Sequence, residues 1–238
     1  MTKYGTFYGI GVGPGDPELI TLKAKNVLES VRYVFTPISG KGKKSIAYSI
    51  AHRFISPDAT VESLIFPMTT EQTVCEKAWE ENVIKIVAVI EKGNDAAFIT
   101  IGDPMTYSTY GYLLKKMKSM YPEVRPITIP GVPSYLAGAA SANLHLAEGN
   151  EVLTLIPGNT PGEEITKLLS LSDTAIFLKH HKKTKNLYKI LKEMNLHDKA
   201  IYVSRCGFED QIVVSNPTPD LLEKADYLSL LVVKKTRK

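Results

Sequence analysis

Two hydrophobic patterns alternate along the chain. Short apolar runs bounded by glycine, proline or polar residues are typical of buried strands, and longer stretches with apolar residues every three or four positions are typical of helices. Strands are predicted at 6–11, 33–36, 61–64, 96–101, 128–130, 152–156, 175–178, 200–204 and 227–233. Helices are predicted at 17–28, 45–54, 70–90, 110–120, 134–143, 184–194 and 219–224, with one more after 160–163. This alternation predicts an α/β fold.

Several predicted helices begin at residues that commonly cap helix N-termini. Asp16 precedes a proline that suits the first helical position, and Thr70 precedes the longest helix. The segment 160–163 reads Thr-Pro-Gly-Glu, which has the spacing of a capping box. We therefore expect these three positions to fix the starts of their helices.

The pattern divides into two α/β lobes. Residues 1–120 are predicted to form the N-terminal lobe and residues 127–238 the C-terminal lobe. Between them, the segment 121–126 is interpreted as a linker because its two prolines interrupt helix and strand alike. Since small-molecule sites favour the boundary between domains, we expect a ligand cleft between the lobes.

Three glycine-rich corners are the strongest candidates for a ligand site. The segment 102–110, Gly-Asp-Pro-Met-Thr-Tyr-Ser-Thr-Tyr, directly follows the apolar strand 96–101. Similar corners occupy 9–17 and 129–134. Glycine lets the backbone approach a ligand, proline fixes the turn, and aspartate offers acceptor oxygens. Such corners at the carboxyl ends of strands are where open α/β sheets bind ligands.

The first corner does not carry the dinucleotide fingerprint Gly-x-Gly-x-x-Gly. Counted from Gly11, the third glycine would stand at Asp16, and counted from Gly9 it would stand at Pro14. A dehydrogenase is therefore excluded. The first corner is therefore either part of a different ligand site or a plain turn from strand to helix.

The basic loop 39–45 does not carry a P-loop either. That motif would need glycine at Pro37 and serine or threonine at Lys44. Nucleoside triphosphate binding is therefore rejected. Lys41 and Lys43 are either solvated surface lysines or groups that bind an anionic substrate.

Composition narrows the functional classes further. The chain of 238 residues has a formal net charge of +4, too low to indicate nucleic acid by itself. Its other basic clusters, 179–185 and 234–238, lack interleaved aromatics, so a nucleic-acid-binding protein is the weaker alternative. No apolar run reaches the roughly 18 residues that a membrane span needs, and no signal peptide is apparent, so we expect a cytoplasmic protein that does not enter a membrane.

No metal centre is predicted. Cys75 and Cys206 are far apart in sequence, and no helix carries His-Glu-x-x-His. The neighbouring His180 and His181 are interpreted as a surface pair.

The three corners, in this order and spacing, resemble those of the tetrapyrrole methylases, which use S-adenosylmethionine. The resemblance runs from about residue 8 to about residue 233. The string Gly-Asp-Pro-x-x-Tyr-Ser-Thr-Tyr resembles the C20-methyltransferase branch, which acts on precorrin-2 or its cobalt complex in cobalamin synthesis. The resemblance implies a class III methyltransferase fold, with the cofactor wedged between two α/β lobes, and a homodimer.

The resemblance also implies a set of cofactor contacts. Asp103 suits the ammonium or ribose hydroxyls of S-adenosylmethionine, and the backbone N–H groups around Gly102 suit its carboxylate. At Pro133 many family members have a hydroxyl residue, so a contact there would use the ring or backbone. The implied cofactor-binding residues are Pro14, Gly102, Asp103, Thr106, Pro133, Ser134 and Leu178.

On the substrate side, the resemblance points to the first corner and the basic loop. The candidate substrate-binding residues are Gly15, Asp16, Lys41 and Lys43, and Tyr107 is a candidate catalytic group near the reacting carbon. A precorrin carries many acetate and propionate groups, which suits lysines. Methylation of another precorrin carbon, or of a protein histidine as in diphthine synthesis, remains an alternative. The Tyr-Ser-Thr-Tyr extension favours C20.

Overall fold

The computed structural model describes residues 4–179 and 184–235. The chain divides into two compact units, with the boundary between Pro133 and Ser134. Among the described residues, no helix has both the length and the apolar character needed to span a membrane. His180, His181 and the basic residues 182–183 and 237–238 lie outside the described ranges, so the expectations for them stay predictions.

The first unit is built on a five-stranded parallel sheet with the order β3-β2-β4-β1-β5. Its strands are β1 (Phe7–Gly11), β2 (Tyr33–Ile38), β3 (Thr60–Ile65), β4 (Ala96–Thr100) and β5 (Ile127–Ile129). Its α-helices are α1 (Leu22–Ser30), α2 (Ile46–Ala51), α3 (Gln72–Ile90) and α4 (Tyr110–Met120). The strand–helix alternation predicted from the sequence is therefore confirmed for this unit.

Helices cover both faces of this sheet, so its central strands β1, β2 and β4 carry buried residues on both faces. Phe35 and Phe98 point to one face and form a core with α3 and α4. Val34 and Ile99 occupy the alternate positions and point to the opposite face, where α2 packs against β2 and β4. Every residue of β4 is buried, which explains why the run 96–101 gave so clear a strand signal.

Three helix starts differ from the predictions. Asp16 caps only a short 3-10 turn at Pro17–Leu19, and α1 begins later with Thr21 as its cap. The long helix α3 begins at Gln72 without a side-chain cap from Thr70. The Thr160 hydroxyl donates to the Pro157 carbonyl at 2.8 Å instead of capping the next helix.

The division between the two units lies later than the predicted linker. Residues 127–129 form β5, which pairs in parallel with β1 at the edge of the first sheet. The segment 121–126 therefore leads from α4 into that strand and lies inside the first unit. Both prolines of this segment precede β5 and therefore remove no N–H donor from the strand itself.

The second unit has a mixed sheet with the order β6-β7-β10-β8-β9. Its elements are α5 (Ser134–Ser141), β6 (Leu153–Pro157), α6 (Gly162–Leu171), β7 (Thr174–Leu178), α7 (Thr184–Glu193), β8 (Ala200–Ser204), β9 (Ile212–Ser215), α8 (Pro219–Glu223) and β10 (Ser229–Lys234). The sequence missed β9, because this short edge strand is largely exposed and lacks a buried apolar run.

Lys234, the first residue of the basic cluster 234–238, lies inside the second unit. It is the last residue of β10 and only 7 % exposed. Its ammonium donates to Glu151 Oε2 at 2.9 Å and to the Leu146 carbonyl at 3.4 Å. This lysine is therefore part of a buried ion pair in the second unit.

Candidate functional site

The three glycine corners lie at one edge of the first sheet. Strands β1, β4 and β5 are neighbours and parallel, so their carboxyl ends point the same way. The segments 12–16, 101–109 and 130–133 follow these strands directly. The structure thus brings together, within one unit, the corners that the sequence singled out separately.

Strand order explains why glycines are needed at this edge. The chain leaves β1 for β2, which lies beyond β4, and leaves β4 for β5, which lies beyond β1, so the two exit loops cross. Where they meet, the Gly102 N–H donates to the Gly13 carbonyl at 2.7 Å, and the Gly13 N–H donates to the Gly102 carbonyl at 3.3 Å. Both residues have left-handed backbones, with φ of 81° at Gly13 and 69° at Gly102, which glycine adopts most readily.

The third corner packs against the first two without room for a side chain. A Cβ atom on Gly131 would overlap the Gly102 carbonyl oxygen and lie 2.9 Å from the Gly11 Cα. A Cβ atom on Gly11 would lie 2.5 Å from the same oxygen and 2.7 Å from the Gly131 nitrogen. The obstacles are backbone atoms and, for Gly11, also the ring carbon Pro104 Cδ at 2.8 Å, so this edge depends on glycine at both positions.

Asp103 ties the second corner to the third. Its Oδ1 accepts from the Met105 N–H at 2.8 Å, and its Oδ2 accepts from the Gly131 N–H at 3.1 Å. An ionised carboxylate offers about four lone-pair positions, so Asp103 retains capacity for a ligand's ammonium or hydroxyl groups. The Gly102 N–H is different, because its bond to Gly13 engages the donor that the sequence suggested for a carboxylate.

Residues 105–107, in the middle of the segment 102–110, form an exposed loop tip that we call the crown. Met105 is 63 % exposed and Tyr107 is 45 % exposed, while Thr106 between them is half-buried. Tyr107 has a φ of 52°, a left-handed conformation that costs an L-residue roughly 1–2 kcal/mol. Strained residues of this kind cluster at binding and catalytic sites, which makes Tyr107 a candidate on structural grounds as well.

The sequence reasoning missed the residues beneath this crown. The buried ring of Tyr110 covers Gly9, where a Cβ atom would overlap the ring, and its hydroxyl lies 2.9 Å from Thr128 Oγ1. Burial raises the pKa of Tyr110, so its phenol stays protonated. The available signal was the alternation of β1, which places Gly9 on the same face as Phe7.

The remaining first-unit candidates lie at the same edge. Pro14 and Gly15 are buried after β1, and Asp16 Oδ1 accepts from the Glu18 N–H at 2.8 Å. Lys41 and Lys43 are exposed on a turn after β2, closed by the Lys43 N–H bond to the Gly40 carbonyl at 3.2 Å. The loop therefore presents both lysine side chains to solvent.

The other cofactor candidates stand at the ends of elements. Pro133 ends the first unit, and Ser134 begins the second unit and helix α5. Leu178 is the half-buried last residue of β7. It is followed by Lys179, which is exposed and has a φ of 58°.

No metal centre is visible in the described ranges. Within 4–179 and 184–235, no three histidine, cysteine, aspartate or glutamate residues are grouped so as to hold an ion. Cys75 and Cys206 are both buried free thiols, and burial raises the pKa of Cys206.

Comparison with known proteins identifies the protein family. The model of the tetrapyrrole (corrin/porphyrin) methylases matches residues 6–222. A probable cobalt-precorrin-2 C(20)-methyltransferase of Methanocaldococcus jannaschii is 39 % identical over 235 residues, covering 97 % of this chain and 96 % of that protein.

Solved structures agree at the level of the fold. A cobalt precorrin-4 methyltransferase of cobalamin biosynthesis superimposes with a TM-score of 0.74 at 22 % identity, over 96 % of this chain and 94 % of that one. Uroporphyrin-III C-methyltransferase of Thermus thermophilus, complexed with S-adenosylhomocysteine, gives a TM-score of 0.64 at 18 % identity, over 97 % and 98 %. The expected α/β fold is confirmed, and the chain belongs to the tetrapyrrole (corrin/porphyrin) methylases.

Proposed function

We propose that this protein transfers a methyl group from S-adenosylmethionine to C20 of precorrin-2, either metal-free or as its cobalt complex, in cobalamin biosynthesis. The observation that carries the proposal is the 39 % identity, over nearly the full length of both chains, to a probable cobalt-precorrin-2 C(20)-methyltransferase. The Tyr-Ser-Thr-Tyr string that ends the second corner supports the same branch. The family resemblance adds a homodimeric, cytoplasmic enzyme to the proposal.

We use the term glycine edge for the place where the three glycine corners meet, at the carboxyl ends of β1, β4 and β5. Its residues fit the methyl donor. Asp103 has acceptor capacity beyond its two backbone bonds, which suits an ammonium group or ribose hydroxyls. Thr106 would contribute a backbone contact, Ser134 its hydroxyl, and Leu178 an apolar surface for adenosine. Pro14 and Pro133 would contact the donor through their rings or backbone. When bound, S-adenosylmethionine supplies a methyl group that its sulfonium already activates.

The chain's main contribution to catalysis would be alignment. Holding two reactants in a reactive geometry and excluding water is worth roughly 7–11 kcal/mol in favourable cases. The crossed loops, locked by paired Gly13–Gly102 hydrogen bonds, provide a rigid support for such alignment. No strong base is required for the attack, because the conjugated macrocycle makes C20 electron-rich.

The substrate would be held by its acidic side chains. Lys41 and Lys43 are exposed on the loop after β2, at the edge where the glycine corners lie, and would attract acetate and propionate groups. Gly15 and Asp16 would border the macrocycle at the first corner. Tyr107 would stand near C20, which loses a proton after it is methylated.

Two experiments test this proposal. Calorimetry should show micromolar binding of S-adenosylhomocysteine, and purified protein should methylate enzymatically made precorrin-2 or cobalt-precorrin-2, as followed by mass spectrometry. Absence of binding would refute the assignment to a methyltransferase. Methylation with only one of the two substrates would identify the natural form.

The role of Tyr107 has its own test. Tyr107→Phe should lower kcat while leaving the affinity for S-adenosylhomocysteine unchanged. Tyr112→Phe is the matched control, because it removes the hydroxyl of another exposed tyrosine, in α4, whose ring stacks on Trp79. Equal kcat values for Tyr107→Phe and the unmodified enzyme would rule out a catalytic role for the Tyr107 hydroxyl.

A further inference from the structure

The loop between β4 and α4 is anchored at its two ends. At the start, Gly102 pairs with Gly13, and Asp103 accepts from the Gly131 N–H. At the other end, the anchor is the hydroxyl of Ser108. Between the anchors, Met105 and Tyr107 are largely exposed, so the shape of this crown depends on how firmly its ends are held.

Ser108 makes two contacts through one oxygen atom. The Tyr110 N–H donates to Ser108 Oγ at 3.1 Å, and Thr100 Oγ1 lies 3.0 Å from the same atom. Thr100 is the buried last residue of β4, and Tyr110 is the first residue of α4. The hydroxyl therefore joins the end of the strand to the start of the helix and closes the loop at its base.

The neighbouring threonine does not take over this role. Thr109 precedes α4 directly, but it has a helical backbone and its side chain makes no capping bond. The Ser108 carbonyl also accepts from the Gly111 N–H at 3.3 Å. Ser108 thus fixes the first turn of α4 through both its side chain and its backbone, immediately after the strained Tyr107.

We propose that Ser108 is a positioning residue, whose hydroxyl holds the segment 103–107 in the shape in which that segment binds the methyl donor. This inference rests on the proposed function, because it assigns Ser108 a role at the same site. The residue acts through Asp103, Thr106 and Tyr107 and needs no contact with the donor. Since Thr100 and Tyr110 are both buried, the anchor is tied to the rigid part of the unit.

Three variants test this inference in the full chain. Ser108→Ala removes the hydroxyl, and Ser108→Thr keeps it. Ser30→Ala is the matched control, because it removes a serine hydroxyl that makes a local bond elsewhere in the first unit: the Ser30 hydroxyl donates to the Val27 carbonyl at 2.9 Å at the C-terminal end of α1. Calorimetry with S-adenosylhomocysteine should show affinity weakened about five- to tenfold in Ser108→Ala, the usual effect of one lost hydrogen bond. Ser108→Thr and Ser30→Ala should bind as the unmodified protein does.

Hydrogen exchange of the ligand-free proteins provides a second readout. The backbone amides of residues 103 and 105–107 should exchange faster in Ser108→Ala than in Ser30→Ala, with the rest of the first unit unchanged. Unaltered affinity and unaltered exchange in Ser108→Ala would overturn the inference, as would a failure of Ser108→Thr to restore either quantity. If the unmodified protein did not bind S-adenosylhomocysteine, the proposed function would fail, and the inference that rests on it would fail with it. Faster exchange in Ser108→Ala would then still show that Ser108 orders this loop.

Discussion

Replacing Gly131 by alanine tests whether the packed glycine edge is as tight as the structure indicates. The new methyl group would overlap the Gly102 carbonyl oxygen and lie 2.8 and 2.9 Å from the carbonyl carbon and Cα of Gly11. All three obstacles are backbone atoms, so no flexible side chain can move aside. The strain would also reach Asp103, which accepts from the Gly131 N–H.

The expected cost follows from this geometry. Overpacking a well-packed site costs about 1–3 kcal/mol, and the upper end applies because three backbone atoms must shift together. For a unit of this size, about 3 kcal/mol corresponds to a fall in Tm of roughly 10 °C. Affinity for S-adenosylhomocysteine should fall as well, because the shift displaces the corners that would hold it.

The chain offers a matched control and an internal probe. Gly111→Ala makes the same chemical change in α4, where a Cβ atom would meet nothing within 4 Å. Because alanine is the better helix former, this control should gain up to about 1 kcal/mol. The single tryptophan of the chain, Trp79, lies in α3, so its fluorescence in a urea titration reports the unfolding of the first unit.

A small effect of Gly131→Ala on stability and affinity would refute the steric argument about the glycine edge. If Gly131→Ala unfolded at the same urea concentration as Gly111→Ala and bound S-adenosylhomocysteine equally well, the corners would not be closely packed. The glycines at 11 and 131 would then have no steric explanation.

Three further predictions concern single polar groups. Asp103→Asn should destabilise the first unit by about 1–3 kcal/mol in the urea titration, because the Met105 and Gly131 N–H groups donate to different carboxylate oxygens and the amide replaces one of these oxygens by an NH₂ donor. No difference from the exposed control Asp58→Asn would contradict this. The double variant Lys41→Glu with Lys43→Glu should raise KM for the tetrapyrrole, most strongly at low salt, without changing the affinity for S-adenosylhomocysteine. An equal rise of KM in the control Lys92→Glu would show that the two loop lysines have no specific role in binding the substrate. Glu151→Ala should lower the stability of the second unit by about 3 kcal/mol in thermal unfolding followed by circular dichroism, because it leaves the Lys234 ammonium buried without its carboxylate; a Tm equal to that of Glu209→Ala would show that the pair contributes nothing.

The sequence predicted the elements with strong apolar signals. Strand β4 is buried at every position, and its carboxyl end delivers the Gly-Asp-Pro corner as expected. Two of the three inner strands of the second unit, β7 and β8, were also predicted within a residue. These segments could be identified because burial on both faces leaves a continuous apolar run.

What the sequence missed depends on pairing between distant residues. The edge strand β9 is short, and only its hydrogen bonds to β8 identify it. The Ser108–Thr100 contact and the Tyr110 ring over Gly9 require knowing that α4 begins directly above β1 and β4. Local capping signals misled at Thr160, whose hydroxyl found a nearer carbonyl.

The crossing of two loops was equally invisible in the sequence. The corners at 9–17 and 102–110 read as separate turns, and only the order β4-β1 makes their exit loops meet. This crossing engages the Gly102 N–H and leaves Asp103 as the stronger candidate for donor binding.

The most direct test of the proposed reaction is the position of the transferred methyl group. Purified protein should be incubated with cobalt-precorrin-2, and separately with precorrin-2, using S-adenosylmethionine labelled with carbon-13 in its methyl group. We predict that NMR of the product will place the label on C20 and on no other carbon. A label on a different carbon, or no labelled product from a protein that binds S-adenosylhomocysteine, would contradict the proposed reaction.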